Sequence, residues 1–545
     1  MKFLACSMLV LAMAIACQQQ RPIVDSEITG CPPAPPSATE ASKLYVVEPI
    51  EFIPEALGKF HRPITTNSAD AQQFFDQGIQ LKYAFAVNES VSSFRKAQEA
   101  DTTCAMCYWG EAWALGSYLN GHMRKNKAPL AFAAIQKAAA LAGDYANDLE
   151  KQLIDAMSVR YIEEYKYDER RVQDSLFALA MQGVFESNPE DLDIGTVYAE
   201  ALFLLEPRNG HRALEDPNVM RLHAVLEHVL DLDITHPGAC HLYIHATEST
   251  PNPGLAKSCA DYLGDAIPGA SHINHMPSHT YNEMGLWGES VRANLQASHT
   301  DRLADEGRGF AIYPGHNLHM LLFAACYDGQ GAIAMRAAKD MTKMDHGNTA
   351  LEALTMIRFG RFDEMLELPR PDSRNAVFGA FWDWCYGYSK LKLGESDFAE
   401  LYVRRVAETA DTITTQYRWQ PAGPILKELV AILEGEIARE AGQSGPALAK
   451  FREAVRIDDS LPYSEPEPLP FDARHWLGSL LLDQGRYTEA EQVFRKELSD
   501  HPHNGWSLHG LVEALKAQSK PYHIEQEDYE SSWARADVWL ERPIL

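Results

Sequence analysis

The sequence predicts an all-α solenoid of antiparallel helix pairs, and three observations lead there. Histidines recur at one interval: His241 and His245 are followed 34 residues later by His275 and His279, and 34 residues is the length of a helix-turn-helix repeat. Glycine, alanine and phenylalanine recur at the same interval elsewhere in the chain. With 545 residues the chain exceeds a single compact core, so it must divide into domains or extend as a solenoid, and the repeats favour the solenoid.

The clearest repeat lies near the C-terminus. Leu477, Gly478, Leu481, Gly485, Ala490, Phe494 and Pro502 stand at positions 7, 8, 11, 15, 20, 24 and 32 of the tetratricopeptide (TPR) pattern. The chain here resembles a TPR protein, which implies a TPR-type helical solenoid. Setting Gly78 to position 8 puts Leu81, Phe94 and Ala97 at 11, 24 and 27, and setting Gly435 there puts Ala447, Phe451 and Ala454 at 20, 24 and 27. Gly387, Gly394 and Ala399 make a fourth match.

Taken in order, Met1 to Ala16 reads as an export signal. Lys2 gives the positive start, Phe3 to Ile15 is mostly apolar, and Ala14 and Ala16 are small residues before a cleavage point. The run is too short to span a bilayer as a mature helix. Cys17 follows directly, so the segment resembles a bacterial lipoprotein signal whose cysteine is lipidated. Ala14 stands where leucine is more usual, and an ordinary secretory signal is the other reading. By the same resemblance Gln18 implies the outer membrane, facing the periplasm. Residues 17–60 then hold the lipidated N-terminus and a tether with Pro32, Pro33, Pro35 and Pro36 in one run. No later apolar stretch has spanning length, so the lipid is the expected membrane attachment.

Residues 65–236 are expected to form an N-terminal TPR-like region. Its first repeat covers roughly Asp70 to Thr102, and the next helix carries Cys104, Cys107 and Glu111 at groove positions 2, 5 and 9. A lone CxxC in an exported protein reads as a disulfide, a redox pair, packed residues or a soft-metal site. Lys127 to Val159, Arg171 to Asn188 and Leu192 to Leu205 read as helices. Between Glu206 and Asn218 a loop rich in turn residues interrupts the period, as a cover for the binding face or as a surface insertion.

Residues 237–348 hold the histidine-rich repeats. His236 and Pro237 start the first helix, proline being well placed in a first turn. Pro277 either kinks a helix begun near Ser271 or opens one begun near Met276. Residues 349–545 continue the repeats, with Phe381, Trp384 and Tyr388 as a packed aromatic face and Tyr529 to Leu540 as a capping helix.

Ala256, Ala260, Pro268, Gly285, Gly329 and Ala334 fix the repeat frame of the central region. Position 5 is then His241, His275 and His319; position 9 is His245, His279 and Phe323; position 2 is Gly238, His272 and His316. These positions share one face of the first helix of each repeat, and in TPR proteins that face lines the concave groove. With 20 histidines in the chain, nine such positions would hold fewer than one by chance, and seven are histidine. The charge is strongly acidic, 49 basic against 76 acidic residues, which excludes the basic footprint of a nucleic-acid binder.

The blocks CAMCYWGEAWALG, HLYIHATES, HINHMPSHTYNEMG, HNLHMLLFAA and DQGRYTEAEQVFRKELSDHPHNGWSLHGL resemble those of a family of bacterial exported TPR proteins over nearly the whole mature chain. The resemblance gives weight to His241, His245, His275, His279, His316 and His319, and it assigns no activity. Cys107 departs from it, since the family blocks more often carry a small residue there.

Two functions follow from the residues. One is a transition-metal site, zinc or copper before iron, built from His241, His245, His272, His275, His279, His316 and His319, because neutral imidazole is the commonest metal ligand and i, i+4 pairs on a helix are a ligand geometry. Glu248 and Glu283 are its outer partners, and Glu283, Tyr281 and Tyr313 are the proton-transfer candidates if the site is catalytic. The other is a metal-free scaffold whose groove holds a peptide or protein partner. Catalytic-serine, phosphate-binding and dinucleotide motifs are not apparent.

Overall fold

A glycine facing a phenylalanine is the unit that repeats through the fold. A Cβ on Gly78 would meet the Phe94 ring at 2.8 Å, and one on Gly110, in the next repeat, would meet the same ring at 2.4 Å. Gly478 and Gly510 flank Phe494 at 2.3 Å each, and Gly435 faces Phe451 at 2.4 Å. Each phenylalanine is fully buried. The missing side chains let neighbouring helices close on the aromatic ring, which is why the predicted positions 8 and 24 hold glycine and phenylalanine.

The computed structural model describes residues 45–544 apart from 167–168, 208–210, 346–347 and 373–374. The predicted export signal, Cys17 and most of the tether lie outside the described residues. Helices follow as hairpins: Ala69–Tyr83 with Val87–Ala100, Ala105–Leu115 with Ala128–Tyr145, Asp148–Ser158 with Arg170–Ser187, Leu192–Phe203 with Pro217–Leu232, and Pro237–Thr247 with Lys257–Leu263. Ser271–His275 and Pro277–Glu283 pair with Trp287–Asp305, and Pro314–Tyr327 with Gly331–Met344. The C-terminal half runs from Ala350–Arg358 through Ala376–Lys392, Ser396–Thr412, Ala422–Glu440, Ser444–Asp458, Arg474–Asp483, Tyr487–Asp500 and Gly505–Ala517 to His523–Ser532. Sheet among the described residues is confined to the two-residue strands Gln416–Tyr417 and Gln420–Pro421. The fold is an all-α TPR-type solenoid, and no helix of the described residues is long and apolar enough to cross a membrane.

Local signals set the helix ends. The Lys127 to Val159 stretch divides at Asn147, whose side chain forms a capping box with Glu150. Residues 45–60 run along the first helices, with Ile53 N and Gly58 N donating to Gln77 and Gln80 at 3.1 and 2.7 Å. Phe381, Trp384 and Tyr388 are buried in the C-terminal core. The predicted capping helix from Tyr529 to Leu540 is a correction: the helix is His523–Ser532. After it the Trp533 ring lies over Gly329 and Gly505, and the Asp537 carboxylate accepts from Gly331 N and Ala332 N at 2.7 and 2.9 Å. Capping the first turn of Gly331–Met344 and docking Trp533 take the place of another helical turn.

That docking brings the two ends of the solenoid onto its middle. Trp287 Nε1 donates to the Pro502 carbonyl at 3.0 Å, Trp506 Nε1 to the Cys326 carbonyl at 2.9 Å, and Arg535 forks onto Asp328 at 2.7 and 2.9 Å. On the other side Gly269 N donates to the Ala56 carbonyl at 2.9 Å. The histidine repeats therefore sit between the N-terminal and C-terminal repeats.

Candidate metal centre

The Pro237–Thr247 helix starts at His236, whose Nδ1 accepts from Ala239 N at 3.1 Å. His241 and His245 follow on one face of it. Gly238 permits close approach here, since a Cβ would meet the Tyr83 ring at 2.4 Å. The Tyr83 carbonyl thereby reaches His241, whose Nδ1–H donates to it at 2.5 Å. The next helix begins at Ser271 and is interrupted at Met276, because Pro277 has no N–H to continue it. His272 and His275 lie before the break and His279 after it. His316 and His319 belong to Pro314–Tyr327, which follows Tyr313 at φ +55°.

Six of the seven predicted histidines meet. His241, His245 and His272 offer ligand atoms within 4.8 Å of one another, and so do His275, His279 and His316. The two trios adjoin: the His272 and His275 rings are 5.4 Å apart, and those of His245 and His279 are 5.2 Å apart. His319 joins neither. Its Nδ1 is bound by the Arg418 guanidinium, which also donates to His316 Nδ1 at 3.0 Å.

Outer partners fix which nitrogens face inward. His241 donates to the Tyr83 carbonyl, His245 Nδ1–H to Glu248 Oε1 at 2.8 Å, and His275 Nδ1–H to Asn294 Oδ1 at 2.7 Å. In each case Nε2 keeps the lone pair, the arrangement by which proteins orient histidine ligands. The Nε2 atoms of His241 and His245 and both ring nitrogens of His272 are buried without a hydrogen-bond partner. The His275 and His279 Nε2 atoms face each other at 2.9 Å. His279 Nδ1 lies 2.5 Å from Glu248 Oε2 and 2.8 Å from Glu465 Oε2. These are ionic contacts, since neither carboxylate lies along the ring N–H direction.

Burial holds His245 down to about 3 and, with the neighbouring imidazoles, holds His241, His272, His275 and His316 well below the ordinary value. Burial opposes charge on His279 too, but the Glu248 and Glu465 carboxylates outweigh it and hold this ring up to about 10. Burial, with Glu467 and Glu248, pushes Glu283 up to about 8. The site is thus a row of neutral imidazoles in which His279, paired with the carboxylates at its edge, is the one charged ring.

A cavity of about 860 Å³ reaches His279, bounded among others by Glu283, Phe323, Arg212, Tyr463 and Glu465. Two segments line it. In residues 211–216 Arg212 donates to the His245 carbonyl at 2.9 Å and to Ser249 Oγ at 2.8 Å, and the 459–473 loop carries Tyr463 and Glu465. Of the other predicted residues, Tyr313 packs its ring 5.0 Å from His272 and Tyr281 donates to Asp261 Oδ1 at 3.1 Å. Cys104 and Cys107 form a disulfide apart from the histidines, and Glu111 there pairs with Arg95.

Sequence reasoning missed Arg418, Glu465, Asn294 and Phe85. Phe85 had a signal. Counted from Gly78 it occupies position 15, where Gly285, Gly329, Gly394, Gly442 and Gly485 stand at positive φ. Phe85 adopts the same left-handed backbone, at φ +60°, with a bulky side chain, which costs on the order of 1–3 kcal/mol. Its ring lies 4.1 Å from that of His241 and 5.7 Å from that of His272. A second disulfide, Cys240–Cys259, ties the first histidine helix to its neighbour.

Unpartnered buried nitrogens are destabilising unless something binds them. Three imidazoles with inward lone pairs fit zinc, copper or iron, and they do not fit magnesium or calcium, which take oxygen.

No family profile matches the chain and no curated protein resembles it in sequence. Among solved structures it is similar to a human IFIT1 dimer with m7Gppp-AAAA, at 12% identity over 80% of this chain and 90% of that one, with a TM-score of 0.30. It is similar also to the P58(IPK) TPR domain, at 12% identity over 83% and 99%, TM-score 0.21. A third is the APC/C hetero-tetramer Cut9-Hcn1, at 12% identity over 88% and 79%, TM-score 0.29.

Proposed function

We propose that this chain is an exported, lipid-anchored TPR-type protein of the bacterial cell envelope that holds transition-metal ions on two adjoining three-histidine sites. Zinc and copper are the first choices and iron the third. The observation that carries the reading is the set of buried, unpartnered nitrogens of His241, His245 and His272. The disulfides Cys104–Cys107 and Cys240–Cys259 support an oxidising compartment, and Lys2 to Cys17 supports export and lipidation.

The trio of His275, His279 and His316 is the one beside the cavity, so a small molecule admitted there meets it first. A bound zinc would supply hydroxide at neutral pH, and copper or iron would supply redox chemistry. The chain's own contribution is orientation and proton handling. Asn294 and Glu248 hold His275 and His279 in place, and Glu283, held up to about 8 by burial and its acidic neighbours, carries a proton at neutral pH that it can pass into the cavity.

The test is elemental analysis of mature protein purified without a histidine tag, followed by titration with zinc and copper. Near-stoichiometric metal, lost in His241→Ala paired with His272→Ala, is the expected result. No metal on isolation and no uptake on titration overturns the proposal.

A further inference from the structure

The cavity that reaches His279 also reaches ligand-type side chains that the histidine sites do not use. Asp472, Glu497 and His501 are buried, and each offers an atom within 4.8 Å of the others. Asp472 lies just before the Arg474–Asp483 helix, while Glu497 and His501 close the Tyr487–Asp500 helix. Asp472 and His501 line the cavity. We propose that Asp472, Glu497 and His501 form a separate divalent-cation site, of mixed carboxylate and imidazole character, on the wall of the cavity that adjoins the histidine sites.

The hydrogen bonds already orient the three groups. His501 Nε2–H donates to Glu467 Oε1 at 3.1 Å and Nδ1–H donates to Glu497 Oε1 at 3.1 Å, with Asp472 Oδ2 3.9 Å from Nδ1, so a cation bound here takes the place of the Nδ1 proton. A carboxylate behind a ligating imidazole is the usual outer support of a metal site. Asn504 Nδ2 donates to Glu497 Oε1 at 2.6 Å, and Arg474 N donates to Asp472 Oδ1 at 2.6 Å. Glu497 Oε2 is left with no hydrogen-bond partner in a side chain that is 0% exposed. Both oxygens of the nearby Glu428, 1% exposed, are also unpartnered.

Charge points the same way. Glu428, Asp458, Glu467, Asp472 and Glu497 act on one another here, and the cationic groups facing them are Arg358, Arg474 and the His501 ring between Glu467 and Glu497. A divalent ion among these carboxylates offsets the excess of negative charge. Two carboxylates with one imidazole suit Mn²⁺, Fe²⁺ or Zn²⁺, and differ from the all-nitrogen trios in favouring the oxygen-preferring end of that series.

The site stands independently of metal at the trios, and one experiment separates them. Full-length protein stripped with chelator is titrated with Mn²⁺, following the free-Mn²⁺ electron paramagnetic resonance signal. Wild type should take up one tight equivalent, and His241→Ala paired with His272→Ala should keep it. Glu497→Gln and, as a second variant, Asp472→Asn should each weaken it by at least about tenfold while leaving copper uptake at the trios unchanged. The proposal is overturned if wild type takes up no Mn²⁺, if both acid variants bind it as tightly as wild type, or if uptake disappears with the trio histidines.

Discussion

Glu248 lies between His245 and His279, with Oε1 2.8 Å from Nδ1 of the first and Oε2 2.5 Å from Nδ1 of the second. One carboxylate therefore supports a ligand in each trio and turns both Nε2 atoms away from itself. Glutamine at this place keeps the volume and can still accept from His245, but it loses the charge that pairs with His279. Glu248→Gln should weaken metal binding about 10- to 100-fold, the usual effect of removing such a support. Competition titrations with zinc against a chromophoric chelator measure this, and unchanged affinity would remove Glu248 from the site.

The glycine and phenylalanine pairing predicts opposite signs for two similar substitutions. Ala at Gly110 places a Cβ 2.4 Å from the Phe94 ring, while Gly143, exposed near the end of Ala128–Tyr145, has nothing within 4 Å. Overpacking costs about 1–3 kcal/mol, more than the roughly 1 kcal/mol that alanine gains over glycine in a helix. Gly110→Ala should thus lower stability and Gly143→Ala raise it, read by urea or thermal unfolding. Two shifts of the same sign would contradict the packing argument.

Gly78, Phe94, Gly478 and Phe494 mark a local period, so the repeats and the shared face of His241, His245, His275 and His279 were legible. Arg418 and Glu465 reach the trios from more than a hundred residues away, across a superhelix whose closure depends on Trp287, Trp506 and Arg535 contacts that no short period encodes. His319 lies on the Pro314–Tyr327 helix with His316, yet the Arg418 guanidinium binds its ring, a contact between distant repeats. Phe85 was readable in principle, because a phenylalanine in a slot otherwise filled by glycine breaks a local rule where a functional site needs it.

Location is tested through a residue outside the described part of the chain. Cys17→Ser should move the protein from the membrane fraction to the soluble one without changing its thermal melt, since the proposal gives anchoring to lipid alone. Retention in the membrane fraction would overturn the lipoprotein reading and leave the metal reading untouched.

Chelator and acid should destabilise the central repeats in ways that can be told apart. A ligand bound only by the folded chain stabilises it by about 2.7 kcal/mol at a hundredfold excess over its Kd. At about pH 7.5, above the ~6.5 of free histidine, EDTA should therefore lower the Tm of metal-loaded protein. The stripped protein then shows the histidines alone. Burial holds His245 down to about 3, and holds His241, His272 and His275 well below the ordinary value. These rings stay neutral in the fold but take protons in the unfolded chain below about pH 6.5. The unfolded state then binds more protons, and stability falls with pH by about 1.4 kcal/mol per unit for each such group until its folded value is reached. His279 has the opposite sign: held up to about 10 by Glu248 and Glu465 against burial, it contributes stability that is fully present below about pH 6.5 and lost as pH rises through 10. Because several trio rings are depressed, His241→Ala paired with His245→Ala should flatten the acid flank of the stripped protein's stability curve. Equal Tm with and without EDTA, in protein shown to be loaded, would deny the metal a structural role. An acid flank unchanged in the double variant would show that His241 and His245 are already solvated and not held dry and neutral.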